Sequence, residues 1–129
     1  MSTIALSPVA SGPTEVAIDQ IALLAHCMNN VQFAASLLAE LELTGEQKVR
    51  DIVDFADAGD FQAMAQVAHG LKGAASIIAA EPLRCIAAAI EEAGKSETQG
   101  SLVSIVDNLQ LEMKKCLDFC KVFREQTSA

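Results

Sequence analysis

The 129-residue sequence has no tryptophan, no tyrosine and only five phenylalanines. Its apolar mass is therefore Ala, Leu, Ile and Val. Few strand formers and only three prolines favour an all-helical domain whose helices approach closely. Positive charge is also scarce. Nine Lys and Arg face seventeen Asp and Glu, a formal net charge of -8. Phosphate-rich partners need a basic face, so nucleic acid and anionic membrane surfaces are excluded and neutral or locally basic proteins remain. No apolar run reaches the roughly 18 residues of a membrane span. Residues 1–14 lack the basic region and apolar core of a secretory leader, and their Ser, Pro, Gly and Ala content predicts a disordered lead-in over 1–13. The cysteines, Cys27, Cys85, Cys116 and Cys120, show neither C-x-x-C nor zinc-ribbon spacing. They read as small buried hydrophobes in a cytoplasmic protein.

Several chemistries are missing as well. There is no G-x-x-x-x-G-K-[ST], G-x-G-x-x-G, H-E-x-x-H or G-x-S-x-G, hence no cradle for a nucleotide phosphate and no familiar hydrolase centre. With two histidines in all, a bis-histidine metal or haem site would need both. The Glu-x-x-His pairs of di-metal bundles are absent too, so no metal site is expected.

What is present is helical periodicity. A first helix is predicted from Pro13 or Thr14 to Met28, with Ile18, Ile21, Leu24 and Met28 as its apolar stripe. Asn29 would stop it and Asn30 would cap the next. His26, near its C-terminus, suits the helix dipole in a structural role. A second helix runs from Val31 to about Asp57 on Ala34, Leu38, Leu41, Val49, Ile52 and Ala56. Gly45 falls on that stripe, so either a neighbour packs tightly there or the helix breaks and restarts at a Thr44-x-x-Gln47 capping box; one helix, straight or bent, is the reading. Ala58-Gly59-Asp60 is a tight turn, Gly59 ending one helix and Asp60 capping the next, which forces an antiparallel hairpin.

The third helix, Phe61 to about Ala79, carries Phe61, Met64, Ala68, Leu71, Ala75 and Ile78 inward. Pro82 opens a fourth helix reaching Ala93, closed by Gly94, with Leu83, Ile86, Ala87 and Ile90 inward. A polar loop spans Lys95 to Gly100. The last helix, from about Ser101, has the cleanest stripe: Leu102, Ile105, Leu109, Met113, Cys116, Cys120 and Phe123. A frayed tail follows Glu125. The expected architecture is an all-α, up-down-up-down four-helix bundle over 14–125 with an additional short N-terminal helix, and residues 126–129 as the tail.

The third helix organises the chain. His69 lies off the core stripe, on an outer face with Gln62, Gln66, Lys72, Gly73 and Ser76. Imidazole is a nucleophile near neutral pH. A phosphoryl group on it would need solvent, a cation and room for a donor. Lys72 supplies charge at i+3, and Gly73 with Ala74 and Ala75 supplies room. Gly73 is the odd choice, since glycine costs about 1 kcal/mol against alanine in a helix interior. By themselves His69 and Lys72 also describe an ordinary solvated helix face.

The run His69-Gly70-Leu71-Lys72-Gly73-Ala74-Ala75 resembles the H-x-L-K-G-(small)-(small) motif of histidine-containing phosphotransfer (HPt) domains. The likeness extends through Asp51 to Glu91. It includes the Ala58-Gly59-Asp60 turn, Ala68, Leu83 and Glu91, while Ala79 replaces a customary glycine. The resemblance implies that His69 is the phospho-acceptor through its outer ring nitrogen, that Lys72 stabilises the phosphate, and that Glu91 orients the histidine by bonding the inner nitrogen; a solvated charge is the other reading of Glu91. It implies a receiver docking over Gly73, Gln66 and Ser76. The expected function is a phosphorelay carrier between receiver-domain aspartates, or from a hybrid sensor histidine kinase to a response regulator. Such a carrier has no ATP-dependent kinase activity and no cofactor of its own, the receiver bringing magnesium, and is expected as a monomer. The alternatives are a docking module that accepts no phosphate, and a structural bundle using the last helix as a coiled-coil seam.

Overall fold

The structure, a computed structural model, describes residues 16–96 and 102–127. These form five helices in the order α1 (Gln20–His26), α2 (Val31–Ala58), α3 (Phe61–Ile77), α4 (Glu81–Ser96) and α5 (Leu102–Thr127), with no strand among the described residues. The expected start near Pro13, the lead-in, most of the Lys95–Gly100 loop and the end of the tail lie outside them.

The long helices form where apolar side chains recur at helical spacing. On α2, Ala34, Leu38, Leu41, Gly45, Val49 and Ile52 are buried. On α3 the inward set is Met64, Ala65, Ala68, Leu71 and Ala75, and α5 contributes Leu102, Leu109, Met113, Cys116, Cys120 and Phe123. The stripes meet in one core. α2 packs on α3 and α5, and α4 packs on α3 and α5; the α3–α4 contact is the most extensive. Arg124 on α5 pairs with Glu42 on α2. Burial pushes the Cys116 and Cys120 thiols up to about 12, so they stay protonated within the core. Cys27 is buried too, whereas Cys85 is exposed on α4 beside Glu81.

Gly45 settles its alternative in favour of tight packing. α2 is continuous, and a Cβ at Gly45 would lie 2.9 Å from the Met113 sulfur. The Thr44–Gln47 capping box does not form because the helix already supplies backbone partners there. Thr44 donates its hydroxyl to the Glu40 carbonyl at 3.0 Å, and Gln47 turns to Asp51.

The first helix is shorter than expected. It starts at Gln20 because the Asp19 side chain caps it by accepting from the Ala22 amide. The inward residues are Leu23 and Cys27, with Ile18 buried just ahead of the helix, while Ile21 and Met28 face solvent at 84% and 89% exposure. Asn30 caps α2 as expected, accepting from the Phe33 amide.

Three helix ends share one device, a left-handed residue followed by an amide reaching back five positions. After α2 the residue is Gly59 (φ 73°), with Asp60 N–H donating to the Phe55 carbonyl. After α1 it is Met28 (φ 54°), and after α3 it is Ala79 (φ 61°), where Ala80 N–H donates to the Ala75 carbonyl. α3 therefore ends at Ile77, two residues earlier than expected. The Ala79 carbonyl accepts from the Asp19 amide at 3.0 Å, and His26 Nδ1 lies 2.9 Å from the Ile77 carbonyl oxygen. Those two bonds tie α1 to the end of α3, which gives His26 a structural role.

α4 is longer at both ends. It begins at Glu81, with the Ala80 carbonyl accepting its first helical bond from Arg84, and runs through Ser96. Gly94 does not end it. A Cβ there would meet the Phe61 carbonyl oxygen at 2.7 Å and Ala65 Cβ at 2.8 Å, so Gly94 is where α4 touches the backbone of α3. α5 continues to Thr127, past the expected end at Glu125, with the Thr127 hydroxyl donating to the Phe123 carbonyl.

Candidate functional site

His69 stands in the third turn of α3, a helix anchored by Asp60, whose side chain accepts from the Ala63 amide. The inward neighbours Ala68 and Leu71 are fully buried. They fix the helix, and with it the direction of the imidazole, which is 68% exposed.

Across the α3–α4 seam lies Glu91. It is 22 residues away in sequence and buried to 8% exposure, with His69 Nδ1 at 2.9 Å from its Oε2. Lys72 Nζ is 2.7 Å from Oε1, and Lys95 Nζ is 3.3 Å from Oε2. The Lys72 hydrogen bond first, then those of His69 and Lys95, hold the Glu91 carboxyl down at about 2 against the pull of desolvation. An ionised carboxylate can only accept. In the neutral imidazole His69 then donates Nδ1–H to it, which places the lone pair on the other ring nitrogen, Nε2.

Gly94, one turn beyond Glu91 on α4, permits this reach. The contact between its backbone and the first turns of α3 brings the helices close enough for a carboxylate on one to meet an imidazole on the other. Beside the imidazole lies a groove of about 590 Å³ lined by Gln62, Ala65, Gln66, His69, Glu91, Gly94 and Lys95. On the other flank Gly73 is exposed, and a Cβ added there would meet nothing within 4 Å.

Of the residues singled out in the sequence, His69 and Lys72 converge on the carboxylate of a third, Glu91. Gln66 lines the groove, while Gly73 and Ser76 lie exposed along α3 outside it. Lys72 is not extended into solvent but held against Glu91. Two residues were missed. Lys95 fell in the expected loop, although its i+4 spacing from Glu91 was a signal. Gly94 passed for a helix stop.

Comparison with known proteins bears on the family and the fold. The family model of the Hpt domain matches residues 33–118, and the chain belongs to that family. Hpt domains are phosphotransfer carriers, and a phosphotransfer role in two-component signalling is this chain's functional class. No curated protein matches the chain. Among solved structures it is similar to the histidine-containing phosphotransfer protein B (HptB) of Pseudomonas aeruginosa PAO1, at 22% identity and a TM-score of 0.78, covering 85% of this chain and 96% of that one. It is likewise similar to the HPT domain of the Hpt sensor hybrid histidine kinase from Shewanella, at 22% identity and a TM-score of 0.79, covering 88% and 97%. Both likenesses are of fold. No single helix among the described residues is long and apolar enough to cross a membrane.

Proposed function

We propose that the chain carries phosphoryl groups on His69 within a phosphorelay, taking them from a receiver-domain aspartate or a sensor kinase and passing them to another response regulator. The observation that carries this reading is the bond between His69 Nδ1 and the ionised Glu91.

The Nε2 lone pair attacks the phosphorus of an aspartyl phosphate. The N–P bond forms as the P–O bond to the aspartate breaks, and the electron pair of that bond leaves on the aspartate carboxylate. The proton on Nδ1 stays where it is. The ring thereby gains positive charge, which the Glu91 carboxylate offsets across 2.9 Å. The reverse step delivers the phosphoryl group to a second receiver. Lys72 is the cation within reach of the new phosphoryl oxygens. Gly73, Gln66 and Ser76 form the surface on which the receiver sits.

The receiver brings the magnesium ion and most of the electrostatic catalysis, and the carrier needs no cofactor of its own. The sequence holds no ATP-binding motif, which supports a carrier rather than a kinase. We read α2 to α5 as the up-down-up-down four-helix bundle, on the strength of the short turns and the circuit of helix contacts, and the protein as a cytoplasmic monomer served by a hybrid sensor kinase.

The test is transfer from a radiolabelled phospho-receiver, with magnesium, to wild type and His69→Gln. Acid-labile, alkali-stable label on wild type and none on the variant is expected. Absence of label across a panel of receivers would leave a docking module in its place.

A further inference from the structure

The charges around Glu91 include one that the transfer step does not use. Two ammonium groups meet this buried carboxylate, Lys72 on Oε1 at 2.7 Å and Lys95 on Oε2 at 3.3 Å. If Lys72 is to stabilise a phosphoryl group on Nε2, it must serve two anions in turn. Before transfer it neutralises Glu91. Afterwards the phosphoryl oxygens present more negative charge on the same side of α3. A lysine is a single point charge on a flexible stem, able to move but not to hold both anions fully. Withdrawing it would leave a carboxylate that is 8% exposed with the His69 ring as its remaining partner from α3, and a buried carboxylate tolerates the loss of a partner poorly.

Lys95 removes that obstacle. It lies one turn beyond Glu91 on the same helix, so its position relative to the carboxylate does not depend on α3. It shares Oε2 with His69 Nδ1, leaving Oε1 to Lys72 among the described residues. We propose that Lys95 is the standing counter-charge of Glu91, and that it frees Lys72 to swing from the carboxylate to the phosphoryl group once His69 is phosphorylated. The swing breaks one Lys72 N–H bond to Oε1 and makes one to a phosphoryl oxygen, with no covalent change of its own. Lys95 is thus a positioning residue: it acts through Glu91 and Lys72, not on phosphorus. The inference rests on His69 being the acceptor. The contrasting possibility is an ordinary i, i+4 pair on a helix surface, which would leave phosphohistidine chemistry untouched.

The experiment phosphorylates the full chain with phosphoramidate, so that no receiver is involved, removes the reagent, and follows the lifetime of the phosphohistidine. Wild type is compared with Lys95→Gln, Lys95→Arg, Lys72→Gln and the Lys72→Gln/Lys95→Gln pair, each checked for unchanged helicity and melting. Lys95→Gln shortens the lifetime several-fold and Lys95→Arg restores it. Lys72→Gln shortens it at least as much, and adding Lys95→Gln then changes nothing further, because Lys95 works only through Lys72. An unaltered lifetime in Lys95→Gln, or independent and additive effects in the pair, overturns this proposal alone. Failure of wild type to form a phosphohistidine, or equal labelling of His69→Gln, overturns the acceptor reading and this proposal with it.

Discussion

Of the helical glycines near His69, Gly94 and Gly73 lie in opposite surroundings. At Gly94 a Cβ would sit 2.7 Å from the Phe61 carbonyl oxygen, a backbone atom with no freedom to yield. At Gly73 the same Cβ would meet nothing within 4 Å. Each lies inside a helix, where glycine costs about 1 kcal/mol against alanine. At Gly94 that loss is offset inside the molecule, because close contact of α3 and α4 brings Glu91 to His69. At Gly73 no contact among the described residues offsets it. The glycine at Gly94 marks close approach by the neighbouring helix, and the one at Gly73 fits the partner approach proposed above.

Substitution should separate the two. The largest effect is expected at the open glycine: Gly73→Leu slows transfer from a phospho-receiver about a hundredfold, near 3 kcal/mol of barrier. Its melting temperature holds or rises, since leucine is the better helix former. Stopped-flow transfer and a thermal melt check the two halves separately; normal transfer would show that no partner approaches there. At the closed glycine the order reverses. Gly94→Ala should lower stability by about 1–3 kcal/mol through overpacking, measured by denaturant unfolding, and should weaken the His69–Glu91 bond as α4 is pushed outward.

The seam also has a pH signature. Glu91 is held at about 2 instead of 4.5, chiefly by Lys72. A lowered carboxyl stabilises the fold wherever it is ionised, so its contribution is complete above 4.5 and is lost as pH falls towards 2. The stability difference between wild type and Glu91→Gln should therefore be flat above about pH 5 and shrink below 4.5. A difference that stays constant down to pH 3 would contradict the pairing. The smallest effect is expected at Gly45. A Cβ there also collides, at 2.9 Å, but with the sulfur of Met113, the flexible end of a side chain. Gly45→Ala should stay within about 1 kcal/mol of wild type, repacking of methionine offsetting the gain in helix propensity.

The same contrast explains what could be read from the chain. The Gly59 turn was legible because glycine announces a left-handed residue and aspartate announces a cap. Met28 and Ala79 take up the same conformation without any such signal. At Ala79 the conformation is held by a tertiary bond, the Asp19 amide to its carbonyl, and no local pattern can report that. The stripes of α3 and α5 were legible because burial follows period. The face of α1 was misjudged because the Asp19 cap starts the helix later than Pro13 suggested. At the site, His69 and Lys72 were legible from i, i+3 spacing and from a family motif. Glu91 stood undecided between orienting the histidine and facing water, because the answer depends on how closely α4 approaches α3. That distance is set by Gly94, whose local signature is the same as that of a helix stop. Lys95 went unnoticed for the same reason, since a loop was expected from Lys95 onward.

The proposed transfer turns on which ring nitrogen of His69 carries the lone pair. Long-range ¹H–¹⁵N correlation of the imidazole, before and after phosphorylation, tests it directly. The geometry predicts the Nδ1–H tautomer in the resting protein, with Nε2 carrying the lone pair, and after transfer a phosphoryl group on Nε2 with the proton still on Nδ1. A resting Nε2–H tautomer, or phosphorus bonded to Nδ1, would contradict it.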